Sequence, residues 1–297
     1  MTLPEQTVYS YFPGCSLAAT NKAYDISTRN VAKVLGLEMI ELEDWNCCGA
    51  TAYVSIDEDR ATVLAARNLA LSAGTGRDLV TVCSGCYLAL RKANRRLDED
   101  GDLRGRVRGA LRAGGMDYGG GVRVRHFLDV VVDDLGKEAI QRHVVRPLDS
   151  LRVACYYGCQ IARPCEDGVD PDFPESMDEL MSWVGACPVN FRLKTKCCSG
   201  MIMATRKDVG LEAAGKILHE ARRAGADCVS TACPLCQFNL EAFQGAIDAP
   251  RGGEHRLPVL YFTQILGSAL GLDRTDLALG DSLIPLPEVL SHAGAAS

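Results

Sequence analysis

The sequence predicts an α/β protein made of two pseudo-twofold-related α/β domains with mostly parallel sheets, each built around a cysteine site. Three observations carry this. Strand patterns alternate with helical ones along the chain, the order that gives parallel sheets. A cysteine set is duplicated: Cys15, Cys47, Cys48, Cys83 and Cys86 return as Cys159, Cys197, Cys198, Cys233 and Cys236, with thirty-four residues between the adjacent pair and the C-x-x-C in both copies. Each of these cysteines falls just after a strand pattern, and in such folds the loops after the strands collect at one sheet edge, where functional groups gather.

Taken in order, Val8 to Phe12 reads as a strand that ends at Pro13-Gly14-Cys15, a loop cysteine after a Pro-Gly break. Ala23 to Leu35 carries Ile26, Val31, Val34 and Leu35 at helical spacing and stops at Gly36. A second strand, Glu38 to Leu42, leads into Asp44-Trp45-Asn46-Cys47-Cys48-Gly49, where the glycine frees the backbone for two thiols to turn toward one centre. Asp57 to Ala73 is a helix with an acidic first turn, Leu79 to Val82 a buried strand ending at Cys83, and Tyr87 to Leu97 the next helix. Asp98 to Gly121, rich in Gly and Arg, reads as a solvated insertion with a short helix in it. Helical patterns resume at Val124 to Leu135 and Lys137 to Val145.

Arg146-Pro147-Leu148-Asp149 reads as the junction, dividing the chain into domains 1–149 and 150–297. The strand Leu151 to Tyr156 then opens a replay. Tyr157-Gly158-Cys159 matches Pro13-Gly14-Cys15 at an offset of 144 residues, while both later pairs repeat at 150; the slip falls in the Pro- and Asp-rich loop between Arg163 and Pro174. A capping pattern precedes the helix Met177 to Val184. Pro258 to Tyr261 is the last strand, Phe262 to Leu270 the last helix, and Asp273 to Ser297 a loosely held tail.

Bulk properties narrow the function. A chain of 297 residues can bury two ordinary cores, and 47% hydrophobic with 24% charged residues is the balance of a soluble globular protein. Runs such as Val130-Val131-Val132 and Phe262 to Leu272 are too short or too interrupted to cross a bilayer, and no export signal is apparent, so a cytoplasmic location without a membrane span is expected. A net charge of -6 offers no basic footprint for nucleic acid.

Fourteen cysteines in such a chain point to metal ligation or redox chemistry, because cytosolic thiols are kept reduced. Thiolates suit zinc, copper(I) and iron-sulfur clusters. Zinc is satisfied by four tetrahedral ligands, whereas each half offers five from three loops. An iron-sulfur cluster in each half is therefore the preferred reading, with zinc as the alternative. A thioredoxin-like dithiol would also place C-x-x-C between strand and helix, but needs neither an adjacent pair nor a third loop. Cys155, Cys165, Cys187 and Cys228 have no counterpart in the first half and read as small buried hydrophobes.

The doubled pattern Cys, x31 to x37, Cys-Cys, x34, Cys-x-x-Cys, supported by Tyr11-Phe12-Pro13-Gly14-Cys15, Ala154 to Cys159, Arg163-Pro164 and Cys233-Pro234-Leu235-Cys236-Gln237 with Asn239-Leu240, resembles the cysteine-rich CCG domain of the heterodisulfide reductase B subunit. The resemblance runs from about Val8 to Leu272. It implies a noncubane [4Fe-4S] cluster on Cys15, Cys47, Cys48, Cys83 and Cys86 and another on Cys159, Cys197, Cys198, Cys233 and Cys236, the two facing each other to cleave or form a disulfide. It also implies a hetero-oligomeric complex, with a ferredoxin-like iron-sulfur subunit and a flavoprotein. The chain itself has no G-x-G-x-x-G fingerprint. A bacterial sulfur-oxidation branch of the family implies a lipoate-bound or small thiol substrate. One departure is Ser199, which follows the second pair where the family has glycine.

Two rival readings remain. CCG subunits also occur in succinate dehydrogenases and fumarate reductases, where they pass electrons toward quinone; a zinc-stabilised scaffold is the reading from another class. Of the remaining polar residues, His126, His143, His219, His255 and His292 read as surface or packing residues. Lys194 and Lys196 read as solvated, with attraction of an anionic cluster or substrate as the alternative. Trp45 reads as packing and Asn46 as a shaper of the pocket.

Overall fold

The computed structural model describes residues 7–163, 170–248 and 256–291. Each half forms a four-stranded, all-parallel sheet. The first contains β1 (Val8–Phe12), β2 (Glu38–Glu41), β3 (Leu79–Thr81) and β4 (Val124–His126) in the order β2-β1-β3-β4. The second contains β5 (Arg152–Tyr156), β6 (Cys187–Pro188), β7 (Cys228–Thr231) and β8 (Val259–Tyr261) in the order β6-β5-β7-β8. The central strands β3 and β7 are buried along their whole length, as strands covered on both faces must be. β2 is a largely exposed edge, and its Glu38 and Glu41 charges suit that position. Register equates the two copies at their last strands: Thr81 lies beside His126 as Thr231 lies beside Tyr261.

Helices cover the sheets where the periodicity predicts, with three differences. Gly101–Ala113 is a full helix, capped by Asp100, whose carboxylate accepts the Leu103 N–H at 2.9 Å. Its Leu103, Val107 and Leu111 recur every four residues and pack into the first core. The segment is thus a core helix, and the Arg and Gly residues of its outer face make it read as a solvated insertion. Val124 to His126 is a strand, not the start of a helix; its pairing with β3 is a long-range contact that local periodicity does not reveal. A short α turn, a π-helical segment Val130–Leu135 and the helix Gly136–His143 follow it. Third, the described part of the C-terminal segment is held in place. Leu277, Leu279, Ile284 and Leu290 are buried, the Leu277 carbonyl accepts from Gln264 at 3.0 Å, and Asn30 donates to the Asp276 carbonyl at 2.8 Å.

The largest apolar cluster belongs to both halves, joining Tyr24, Val31 and Phe127 to Tyr157, Met181, Phe262 and Leu266. The helices Lys22–Val34 and Phe262–Ala269 pack together in it. The rings of Tyr24 and Tyr261 stack across the boundary, 3.9 Å apart and 5° from parallel, a contact of about 0.5–1.5 kcal/mol beyond its buried area. Two smaller clusters lie one in each half, and each includes three of the repeated cysteines.

Candidate functional site

The cysteine loops descend from the strand ends in matching ways. After β1 the chain passes through Gly14, with φ 79° and ψ 164°, a conformation open essentially only to glycine. A Cβ here would stand 2.9 Å from Cys86 Sγ, and the same atom on Gly158 (φ 71°) would stand 3.1 Å from Cys236 Sγ. Both glycines let the backbone lie directly on the C-x-x-C of its own half. After each adjacent pair the chain turns through a left-handed residue, Gly49 at φ 79° and Ser199 at φ 77°. Ser199 therefore adopts the glycine geometry; its hydroxyl donates to the Cys198 carbonyl. Asn46 is anchored by Asn68, which accepts its N–H at 3.0 Å and donates to its carbonyl at 2.9 Å. In the second half Asn239 donates to the carbonyls of Cys198, at 3.2 Å, and Gly200, at 2.9 Å, and lies 3.7 Å from Cys198 Sγ. Cys83 and Cys233 each cap a helix, Ser84–Glu99 and Pro234–Glu241, the second opening on proline as a first turn prefers.

All ten repeated cysteines gather as two sets of five. In the first, Cys15 Sγ lies 3.9 Å from Cys47 Sγ and Cys48 Sγ 3.2 Å from Cys86 Sγ, and the Gly49 N–H points at Cys47 Sγ from 3.5 Å. Cys15 and Cys197 are exposed, Cys47 and Cys159 half-buried, and the rest buried. The sets adjoin: Cys83 and Cys233, each opening a C-x-x-C helix, come close enough across the boundary for each thiol to act on the other. Other cross-boundary contacts brace this meeting point. Ser84 Oγ donates to the Ala232 carbonyl at 2.8 Å, and Asn21 Nδ2 donates to Tyr261 Oη at 2.7 Å and to the Pro234 carbonyl at 3.4 Å. His126 Nδ1 accepts the Leu128 N–H, which leaves Nε2–H to be shared between the carbonyls of Val82, at 2.9 Å, and Ala232, at 3.3 Å, the residues just before Cys83 and Cys233. Fully buried, this ring is held neutral, its pKa lowered to about 4 chiefly by desolvation.

Crowding divides the thiols electrostatically. Hydrogen bonds from Cys15 and then Cys48 hold Cys47 low, as those from Cys159 and then Cys198 hold Cys197. Their partners are pushed up in turn: Cys15 and Cys159 by bonding to those thiolates and by burial, Cys48 and Cys198 to about 12 chiefly by the neighbouring cysteine of the pair. Five adjacent thiols cannot all ionise without cations among them.

The donor set fits an iron-sulfur group. It is all sulfur, five thiols to a set, and soft ligands of this kind suit such clusters. Among the described residues, no three or more His, Cys, Asp or Glu side chains converge to hold a single metal ion. The Tyr24 hydroxyl, fully buried, has no hydrogen-bond partner among the described residues; its pKa is raised by burial, then by Tyr261, and after these by Cys233 and Cys83.

The other candidates fall out as follows. Cys155 and Cys228 are fully buried in the shared core, their thiols pushed up by desolvation. Cys187 is exposed at β6, its Sγ 3.6 Å from the Asp149 carbonyl, so the reading of it as buried is corrected. Cys165, His255 and His292 lie outside the described residues. Lys194 is not solvated: it is buried and pairs with Asp178 at 2.9 Å, because its loop folds over the helix Ser176–Trp183. Lys196 is exposed. Trp45 packs edge-on against Phe12 at 5.5 Å. The sequence reading of His126 as a surface or packing residue holds in part, since it is buried, but misses its bridge to Ala232; Ser84, Asn21 and Tyr24 are passed over because their partners lie in the opposite half, where no local spacing marks them.

The profile of the cysteine-rich CCG domain matches residues 9–91 and 153–241. The chain is 32% identical over 287 residues to the B subunit of the ferredoxin/F420H2-dependent CoB-CoM heterodisulfide reductase of Methanosarcina acetivorans, covering 95% of each. It is also 32% identical over 281 residues to the 8-methylmenaquinol:fumarate reductase membrane anchor subunit of Wolinella succinogenes, covering 94% of this chain and 98% of that one. A crystal structure of a hypothetical protein from Helicobacter pylori shares the fold, with a TM-score of 0.75 at 15% identity over 96% of this chain, which spans 54% of that longer one. Two matched repeats and near full-length relatives lead to one conclusion: this chain belongs to the tandem CCG cysteine-rich-domain family, together with the heterodisulfide reductase B subunits.

Proposed function

We propose that the chain is the catalytic iron-sulfur subunit of a heterodisulfide-reductase-like complex. In this reading Cys15, Cys47, Cys48, Cys83 and Cys86 hold one [4Fe-4S] cluster, and Cys159, Cys197, Cys198, Cys233 and Cys236 a second, both of the noncubane kind. The observation that supports it most is the meeting of the two C-x-x-C segments, where Ser84 Oγ donates to the Ala232 carbonyl at 2.8 Å and His126 Nε2 lies 2.9 Å from the Val82 carbonyl and 3.3 Å from that of Ala232. When bound, such a pair supplies the two electrons and the Lewis-acidic iron that cleavage of a sulfur-sulfur bond calls for. The balance is one disulfide, two electrons and two protons to two thiols, or the reverse. His126, Ser84 and Asn21 tie the two C-x-x-C segments together, and Tyr24 stacks on Tyr261 and meets Phe262 edge-on at the same boundary.

Electrons would pass through a ferredoxin-like subunit and a flavoprotein, and the sulfur would be presented on a lipoate-bound or small thiol carrier. The relatives named as subunits of heterodisulfide reductases support a hetero-oligomeric setting. A second reading, electron transfer toward quinone, is favoured by the Wolinella relative, named a membrane anchor subunit. No helix among the described residues is long and apolar enough to cross a membrane.

The test begins with protein prepared without oxygen. It should be brown and carry about eight irons if both sites hold four-iron clusters; colourless protein with one or two zinc and no iron would overturn the reading. Reduced dye should then drive disulfide reduction. Turnover with a quinone and none with any disulfide would select the second reading.

A further inference from the structure

Among the described residues the buried charged side chains are Arg125, Lys194, Glu241 and Asp248. Three of them have an opposite charge alongside: Arg125 has Asp134 at 3.1 Å, Lys194 has Asp178 at 2.9 Å and Asp248 has Arg222 at 3.0 Å. Glu241, only 4% exposed, forms no ion pair among the described residues, and burial raises its carboxyl pKa in spite of the hydrogen bonds that oppose the rise. A buried carboxyl without a cation holds a proton in place of its charge. Its neighbours suit that state. The Ser282 hydroxyl has a single hydrogen and lies 2.9 Å from the Ile284 carbonyl and 3.0 Å from Glu241 Oε1. When that hydrogen goes to the carbonyl, the bond to Ser282 must be donated by Glu241, as only a protonated carboxyl can do.

This acid stands at one end of a polar chain that reaches the cysteine sites. Gln237 Nε2 donates to Glu241 Oε2, Tyr261 Oη donates to Gln237 Oε1 at 3.4 Å, and Asn21 Nδ2 donates to Tyr261 Oη at 2.7 Å and to the Pro234 carbonyl at 3.4 Å. Pro234 directly follows Cys233. The Tyr261 hydroxyl, its pKa raised chiefly by burial, also feels Cys233, Glu241 and Cys83. A cavity of about 180 Å³ lies between the halves, with Glu241 and Tyr261 both in its wall. It is polar and has room for a few water molecules, which connect the carboxyl to the phenol without passing through the Gln237 amide. The charged side chains that share this cavity are Lys22 of the first half and Asp281 of the C-terminal segment. The helix Lys207–Arg223 also packs on the helix of Glu241, but its Lys207 turns to the Phe243 ring and its Arg222 to Asp248.

The repeat offers a comparison. The 150-residue offset that relates Cys236 to Cys86 relates Gln237 and Glu241 to Tyr87 and Arg91, and register relates Tyr261 to His126, whose neutral ring is bound between two carbonyls. At this position the acid belongs to the second half alone.

We propose that Glu241 takes up protons from solvent and delivers them, through Tyr261 and the cavity, to sulfur released at the meeting point of the two C-x-x-C segments. The inference rests on the disulfide chemistry proposed above. In each turnover one S–S bond breaks, a one-electron donor such as reduced viologen supplies two electrons in turn, each freed sulfur gains one proton, and Glu241 regains each proton from solvent. An acid acts only while protonated, so the rate falls as pH rises through its folded pKa.

The test uses the anaerobic, cluster-loaded protein, with bis(2-hydroxyethyl) disulfide as the neutral substrate probe and reduced viologen as donor. Infrared spectra at about pH 5 should show a protonated-carboxyl band that Glu241→Gln lacks. In turnover at that pH, Glu241→Gln should lower kcat about tenfold with KM and iron content unchanged, and should flatten the wild-type fall with rising pH. Glu241→Asp should restore part of the rate, and Tyr261→Phe should lower it with iron retained. A wild-type kcat and pH profile in Glu241→Gln, a carboxyl band that this variant keeps, or loss of iron from it would each overturn the inference. Failure of the unaltered protein to reduce any disulfide would sink the disulfide reading by itself. The proton route is then decided by the midpoint potential of the clusters: a dependence on pH that weakens in Glu241→Gln upholds it, and an equal dependence in both proteins overturns it.

Discussion

Gly14→Ala is the substitution whose outcome the geometry fixes most closely. At φ 79° and ψ 164° an alanine pays about 1–3 kcal/mol of backbone strain, of which some 0.4–1 kcal/mol is recovered from the stiffer unfolded chain. Its Cβ would also stand 2.9 Å from Cys86 Sγ. That sulfur has little freedom, being buried with Cys48 Sγ only 3.2 Å away, so the collision adds about 1–3 kcal/mol of overpacking. The sum is roughly 1–5.5 kcal/mol, which at about 2–4 °C per kcal/mol lowers the thermal midpoint by several degrees. Gly36→Ala is the comparison variant: its φ is also positive, at 71°, but a Cβ there meets nothing within 4 Å, so it carries backbone strain without a collision. Anaerobic thermal unfolding and iron analysis of both variants are the assay. Gly14→Ala should be the less stable of the two and should lose iron from the first site only. Equal stability, with full iron in both, would refute the close approach of the Gly14 backbone to Cys86 and with it the first site's geometry.

Three further outcomes are expected. Cys47→Ser should remove or alter only the first cluster's spectrum and Cys198→Ser only the second's, measured by electron paramagnetic resonance; both spectra surviving either change would break the ligand assignment. His126→Ala should cost about 2–4 kcal/mol in denaturant unfolding, since it strips the Val82 and Ala232 carbonyls of a shared buried donor and leaves a cavity; a loss within about 0.5 kcal/mol, the range of an ordinary surface change, would contradict the bridging role. Glu241, its carboxyl raised mainly by burial, binds a proton more tightly folded than unfolded, so its contribution is favourable below the unfolded carboxylate pKa and is lost as pH rises through the folded one. Glu241→Gln should therefore stabilise the protein at pH 7 and change little at pH 4, and thermal midpoints at the two values check the sign.

Most of the fold was legible in the sequence, because strand and helix periods are local. Val8 to Phe12 alternates and ends on Pro-Gly, and the structure has its first strand at those residues. The misreadings share one cause. Val124 to His126 is a strand only because β3 offers it a partner, and Gly101–Ala113 is a core helix only because the first core receives its leucines. The described tail is ordered because Gln264 and Asn30 bind its carbonyls. Lys194 belongs with them, since the Asp178 carboxylate that buries it comes from another element.

By itself the sequence marked a duplicated set of five cysteines, Cys15 to Cys86 and Cys159 to Cys236, and gave the expectation of soft metal chemistry at sulfur ligands of this number; spacing along a chain is enough for that. Only the tertiary structure decided that the two C-x-x-C segments meet, with Ser84 bound to the Ala232 carbonyl, that His126 ties their approaches together, that Ser199 takes a left-handed conformation like Gly49, and that the described C-terminal segment packs back against Gln264. These facts depend on how the halves pack and on where the chain returns over itself. Burial and charge at a point in space are sums over residues that the sequence keeps far apart.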